Sequence, residues 1–341
     1  MRTVPGSPQC AFLRALAFVT AAALSCAACA AGPAVARTGP EPDPAVAVRL
    51  LALDPDHVSP REVADVLAHV PAPRIVLLQG SLAPVTMEPF AEFLIGMGYP
   101  QDRLRNPRDG SYSSSSFADS RQVAGALAWY YESEGTRPLL IGHSQGGMLT
   151  IRVLYELAGA FGDAIPVWNP VTDAALPRTT FVDPLNGESR PVVGLKLPYA
   201  AAIATGKLAR ILLGQWTMLD KLRHIPDTAE EFTGFAIEWD VIAGLFPRSD
   251  PYVATGSAAV RNVILPAAYT HIGLPDARHL AADPVTRAWI DAYAPGGGAP
   301  IPEGGDVDTT NLLHAADIWY SVKRHWALEA RRLVAAKQGA R

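Results

Sequence analysis

The residues Gly142-His143-Ser144-Gln145-Gly146-Gly147 place a serine between closely spaced glycines. A serine hydroxyl is a poor nucleophile until a base takes its proton and the backbone presents it. The spacing G-x-S-x-G does the second job when it lies between a strand and a helix. A tight turn there lifts Ser144 above the sheet, and the glycines leave room for the turn and the helix behind it. The chemistry implied is acyl transfer through a covalent serine intermediate.

The surrounding pattern supplies the strand and the helix. Arg137-Pro-Leu-Leu-Ile141 reads as a short buried strand, and an apolar helical pattern runs from Gly147 to Ala158. Arg74 to Gln79 reads as an earlier buried strand, followed by a helix over Glu88–Gly98 with apolar residues at Phe90, Phe93, Leu94 and Met97. The Gly-, Pro- and Ser-rich stretch 106–116 reads as loop, and a helix is expected from Phe117 to Glu134. Further strands are expected at 164–168, 232–239 and 260–265, and a last helix at 309–337. Strands alternating with helices predict an α/β fold, a mostly parallel sheet with helices on both faces.

With this layout the chain resembles the α/β-hydrolase superfamily, most closely its lipase and esterase members. The resemblance spans roughly 70–280, and the turn at Ser144 is its specific part. It implies an oxyanion hole, then an acid, then a histidine in chain order after the serine. The first oxyanion donor falls on the backbone amide of Gln145. The second falls in Gln79-Gly80-Ser81-Leu82, at Ser81 or Leu82; the His-Gly pair of many relatives is here Gln-Gly. The acid falls on Asp240, at the end of the strand after an insertion, with Asp250 as the alternative and Glu238 a weaker one. The base falls on His271, in Thr-His-Ile-Gly-Leu, with His279 as its rival.

The resemblance also implies a helical cap at about 169–230, roofing the pocket. The centre of that stretch, Leu197 to Leu222, is mostly apolar, and Leu212 and Trp216 are candidate pocket residues together with His143. His314 and His325 are expected on a packed final helix. Its charges Lys323, Arg324, Arg331, Arg332 and Lys337 are expected on a solvated face.

Composition narrows the function. The chain has 341 residues, 49% hydrophobic and 18% charged, too apolar for disorder. Lys plus Arg (29) fall below Asp plus Glu (33), which argues against a grip on nucleic-acid phosphates. No His-Glu-x-x-His motif or phosphate-loop Lys-Ser/Thr occurs, so neither a metal nor another cofactor is expected.

All three cysteines, Cys10, Cys26 and Cys29, lie in the first thirty residues. That segment also holds Arg2, Arg14 and an apolar stretch from Ala15 to Leu24, the layout of a signal peptide over 1–30. The expectation is export, with a lipid anchor on Cys26 or Cys29 as the alternative. A tether at 31–45 then precedes one globular domain from 46 to 341, free of disulfides.

The expected activity is hydrolysis of carboxylic esters with an apolar acyl or alcohol part, small-molecule or lipid, with no obligate protein partner. An acyltransferase, a serine peptidase and a non-enzymatic binding protein on the same scaffold are the alternatives.

Overall fold

A computed structural model describes residues 43–82, 84–206, 215–244, 247–297, 300–302 and 307–339. Five apolar runs form one sheet: β1 (Ile75–Leu78), β2 (Leu139–His143), β3 (Leu197–Ile203), β4 (Ala229–Ile237) and β5 (Ala259–Leu265). All neighbours are parallel, and their order in the sheet is their order in the chain. The fold class is therefore α/β with a parallel sheet, as the alternating pattern predicts.

Side chains alternate across a strand, so each strand feeds two cores. Leu77, Ile141, Tyr199, Ala201 and Phe235 join one, and Leu78, Leu140, Ala200, Ala202 and Phe232 join the other. Helices α4 (Ser120–Glu134) and α5 (Gln145–Leu157) cover the second face. The first is covered by α1 (Pro44–Ala52), α2 (Pro60–Asp65), α3 (Glu88–Gly96), α6 (Arg278–Ala282), α7 (Pro284–Ala292) and α8 (Leu312–Gly339). This division follows from handedness. Right-handed crossovers between strands advancing in one direction pass over one face, which leaves the other to the two flanking stretches of the chain and to α3, which precedes α4 within the first crossover.

Register brings the functional loops together. Leu78 pairs with Gly142, His143 with Ile203, Ile203 with Phe235, and Ile237 with Leu265. The residues after β1, β2, β4 and β5 therefore emerge along one edge of the sheet.

Three expectations change. The stretch 169–230 is not one cap, because β3 (Leu197–Ile203) lies inside it and forms the middle of the sheet. Among the described residues of that stretch there is no α-helix. Residues 168–196 hold two small hairpins, pairing Trp168-Asn169 with Ala174-Ala175 and Thr180–Val182 with Ser189–Pro191. The strand expected at 164–168 accordingly contributes to a hairpin and not to the sheet.

The charges of α8 also depart from expectation. Lys323 is only 3% exposed and donates to the carbonyl of Val58. Glu329 pairs with Arg137, Asp317 with Arg261, and His325 with Glu231. The helix reaches the sheet through paired charges as well as through Trp319 and Trp326, which a reading by spacing places only on its apolar side.

Residues 1–42, including Cys26 and Cys29, and Leu212 lie outside the described residues. Among those described, no helix is long and apolar enough to cross a membrane.

Candidate active site

Ser144 sits between the last residue of β2 and the first of α5, with φ +53° and ψ −115°. Positive φ in a non-glycine residue costs on the order of 1–3 kcal/mol and persists only where surroundings enforce it. Here they do. The Ser144 amide donates to Ile203 O (2.7 Å), and Thr205 Oγ1 donates to Ser144 O (2.9 Å). The flanking glycines are required by space. A Cβ on Gly142 would lie 2.2 Å from Gly146 O, and one on Gly146 would lie 2.2 Å from Leu78 O.

His271 opens a short turn, His271–Gly273, after β5, and Asp240 follows β4. The Ser144 hydroxyl lies 2.8 Å from His271 Nε2, and His271 Nδ1 lies 2.7 Å from Asp240 Oδ2. The other Asp240 oxygen accepts the amides of Ile242 and Ala243, at 2.9 Å each. Asp240 and His271 are 4% and 9% exposed. Burial by itself would raise the Asp240 carboxyl. The His271 hydrogen bond and the two amides outweigh it, and the group is held below its ordinary value. An ionised Asp240 therefore fixes the proton on Nδ1 and leaves Nε2 free to accept from Ser144.

The alternatives stand elsewhere. His279 Nε2 lies 3.6 Å from Asp308 on the far side of the turn, Asp250 accepts from Arg223 (3.0 Å), and Glu238 pairs with Arg248 (3.5 Å).

His143 does not line an open pocket, contrary to expectation. It is 2% exposed, wedged beneath the His271 turn, and its Nε2 donates to His271 O at 2.8 Å. Gly80 closes its other side, since a Cβ there would come within 3.2 Å of His143 Nδ1. Burial, and then the neighbouring His271, push the His143 ring down to about 3, so it stays neutral.

The same contact brings Gly80, and hence Ser81 and Leu82, alongside the serine turn. Both residues are exposed in a bend after β1, and Gln145 begins α5. First-turn amides point out of a helix end, towards where a substrate oxygen would stand.

One set of residues escapes reading by sequence. The serine run, expected as plain loop, braces the Gly80 bend. Ser114 joins the edge of β1, with Gln79 N to Ser114 O at 3.0 Å and Ser114 N to Leu77 O at 2.8 Å. Ser113 Oγ donates to Gln79 Oε1 (2.8 Å), and Ser116 Oγ to Gly80 O (3.1 Å). Nothing in a repeat of one small polar residue signals such pairing.

Trp216 stands 61% exposed on the turn Trp216–Met218, above the buried Met218. Among the described residues, no group of three or more His, Cys, Asp or Glu gathers to hold a metal ion.

A parallel sheet, a strained serine turn at the carboxyl end of β2, and an acid and a histidine returning to it in chain order make one recognisable architecture. The fold is of the α/β-hydrolase type. No family model matches the sequence, and no curated protein matches it. Two of the solved structures that are similar to this chain are as follows. One is RedJ with a polyethylene glycol molecule bound in its active site, at 14% identity and a TM-score of 0.27, covering 63% of this chain and 92% of RedJ. The other is SOBER1 of Arabidopsis thaliana, at 12% identity and a TM-score of 0.26, covering 59% of this chain and 90% of that one. At TM-scores this low neither likeness adds weight to the strand order and the serine turn.

Proposed function

We propose that the protein is an exported serine hydrolase that cleaves carboxylic esters carrying an apolar acyl or alcohol group. The observation that carries this reading is the unbroken hydrogen-bonded chain from Ser144 Oγ through His271 to Asp240. Ser144 attacks the ester carbonyl while His271 Nε2 takes its proton, and Asp240 stabilises the imidazolium that forms. The oxyanion is received by the amide of Gln145 and that of Ser81 or Leu82. His271 then protonates the departing alcohol. Water, deprotonated by the same ring, releases the acid and restores Ser144.

The apolar preference rests on the side chains beside the chain of three. Trp239, Val241 and Ile242 flank Asp240, Ile272 follows His271, and Leu82 borders the oxyanion bend; all five are exposed. Such side chains gain from covering an apolar substrate group, by up to about 0.8 kcal/mol per buried methylene. Export rests on the leader-like first thirty residues.

The test is direct. A fluorophosphonate should label the folded protein at Ser144, located by peptide mass spectrometry, and Ser144→Ala should abolish both labelling and hydrolysis of nitrophenyl esters. An unlabelled wild-type protein, or activity kept in Ser144→Ala above about a tenth, would overturn the proposal.

A further inference from the structure

The turn that carries His271 has its own backbone hydrogen bonds, and it is also held by side chains and an amide from elsewhere in the chain. His143 Nε2 donates to His271 O at 2.8 Å. Asn311 Nδ2 donates to both Gly273 O and Asp276 O, at 2.8 Å each. His314 Nε2 donates to Leu274 O at 2.9 Å, and the amide of Leu313 donates back to Tyr269 Oη at 3.2 Å. Four successive contacts of this loop thus belong to the start of α8, some forty residues downstream.

Asn311 is unusual in its own right. It precedes the first residue of α8 and takes φ +67°, a left-handed conformation that asparagine tolerates better than most residues. An asparagine at a helix start normally turns its side-chain oxygen onto the amides of the first turn. Asn311 does not: its Oδ1 is buried with no hydrogen-bond partner, while its Nδ2 reaches across to two carbonyls of the His271 loop. The residue is 2% exposed. A buried unpaired oxygen and a left-handed backbone both cost stability. Neither is needed to begin a helix, and both accompany the pair of hydrogen bonds to the loop.

We infer that Asn311 is a positioning residue for the base, which with His314 and Tyr269 clamps the loop so that His271 Nε2 stays aligned with Ser144 Oγ. This rests on the serine-hydrolase reading above. The clamp is electrically quiet. Burial pushes His314 down to about 4, so the ring that holds Leu274 O stays neutral and adds no charge beside the imidazolium that forms during turnover. A donor to main-chain carbonyls fixes where a loop sits without altering the chemistry of the ring it carries. Its loss should therefore appear in the rate of chemistry and not in substrate binding.

Asn311→Gly separates these effects, because glycine accepts φ +67° without strain while the two donors vanish. Wild-type protein is first titrated with a fluorophosphonate. No reaction at that stage refutes the serine-hydrolase reading and overturns the inference with it, an outcome distinct from any effect of the variant. With a reactive wild type, the variant should lose roughly 10- to 100-fold in kcat per titrated site while KM changes less than about twofold. The same fall should appear in the rate of fluorophosphonate labelling. Tyr269→Phe, which removes the hydroxyl that accepts the Leu313 amide, should show a smaller loss of the same kind and serves if Asn311→Gly does not fold. If kcat per titrated site stays at the wild-type value in the soluble variants and only the melting temperature falls, Asn311 is a structural residue and the inference is overturned.

Discussion

His143 Nε2 lies 2.8 Å from the main-chain oxygen of His271, and the two imidazole rings sit 5.2 Å apart, tilted by 51°. His143, next to Ser144, thus supports the main chain of His271 and leaves the His271 ring to Ser144 and Asp240. His143→Phe should fill the same space and leave a buried carbonyl unpaired. The expected loss is about 1–3 kcal/mol of stability, read from urea denaturation, together with a lower kcat. The acid limb of the rate profile should stay where it is, because His143 carries no charge there. Loss or splitting of that limb would show that His143 titrates with the reaction.

Asp240→Asn keeps the shape of the site but cannot hold the same tautomer of His271. A fall in kcat of about 10⁴-fold is expected, with fluorophosphonate labelling slowed in parallel. Asp250→Asn should leave kcat essentially unchanged, since Asp250 is engaged with Arg223. The reverse pattern would move the acid to Asp250.

Stability should decline early on acidification. Burial pushes His143 to about 3 and His314 to about 4, from an ordinary 6.5. Between pH 6.5 and those values the unfolded chain binds more protons than the folded one, so stability falls as pH drops. Each histidine contributes up to about 1.4 kcal/mol per pH unit in that window. Asp240 acts lower: its folded value is depressed, so its contribution is present above the ordinary carboxylate range and disappears as pH falls through the folded value. Urea midpoints measured from pH 7 to 4 should show the decline. His314→Phe, whose ring would sit among Phe90, Phe235 and Tyr269, should remove about half of the slope due to this pair. An unchanged slope would mean that His314 does not stay neutral in the folded protein.

Glu231→Gln probes the far end of the sheet. Glu231 accepts from Arg261 (3.0 Å), Ser321 (2.9 Å) and His325 (3.0 Å). Burial would raise its carboxyl, but His325 and Arg261 bring it down to about 2. Breaking such a buried set typically costs about 3–5 kcal/mol. Glu231 is six residues before the end of β4, about 20 Å from the Asp240 end. Melting should therefore drop while kcat per titrated site holds. A matching loss of kcat would show that α8 relays changes along its length.

Trp216→Gln tests the apolar surroundings. An exposed side chain contributes little to folding, so stability should stay within about 0.5 kcal/mol. If Trp216 meets the substrate, kcat/KM for decanoyl esters should fall by roughly 1–3 kcal/mol while acetyl esters are spared. Equal values on both esters would remove Trp216 from substrate recognition.

The legible part of the sequence is the part that depends on neighbours in the chain. The serine turn can be read because Gly142 and Gly146 are demanded by backbone atoms within a few residues or one strand away. The β3 run is hidden, because Leu-Pro-Tyr-Ala-Ala-Ala-Ile is poor in β-branched residues and lies in an apolar stretch that resembles helix. Its alanines are small because helices press on both faces of the central strand, which is a property of the assembled sheet. Asp240 and His271 can be picked out by spacing only together with Asp250 and His279. Distance to Ser144 distinguishes them, and spacing does not carry distance. Asn311, His314 and Ser116 act through one or two hydrogen bonds to distant carbonyls, and no periodicity records such bonds.

The dependence of the His271 turn on the start of α8 also sets a timetable. During synthesis Ser144, Asp240 and His271 all emerge before residue 311 does. Until that residue arrives, four contacts that orient the base have no donor or acceptor to complete them. A nascent chain can carry Ser144, Asp240 and His271 while the loop that holds His271 is still unclamped. The clamp on the His271 loop therefore closes late, once the start of α8 has been made, well after Ser144, Asp240 and His271 themselves.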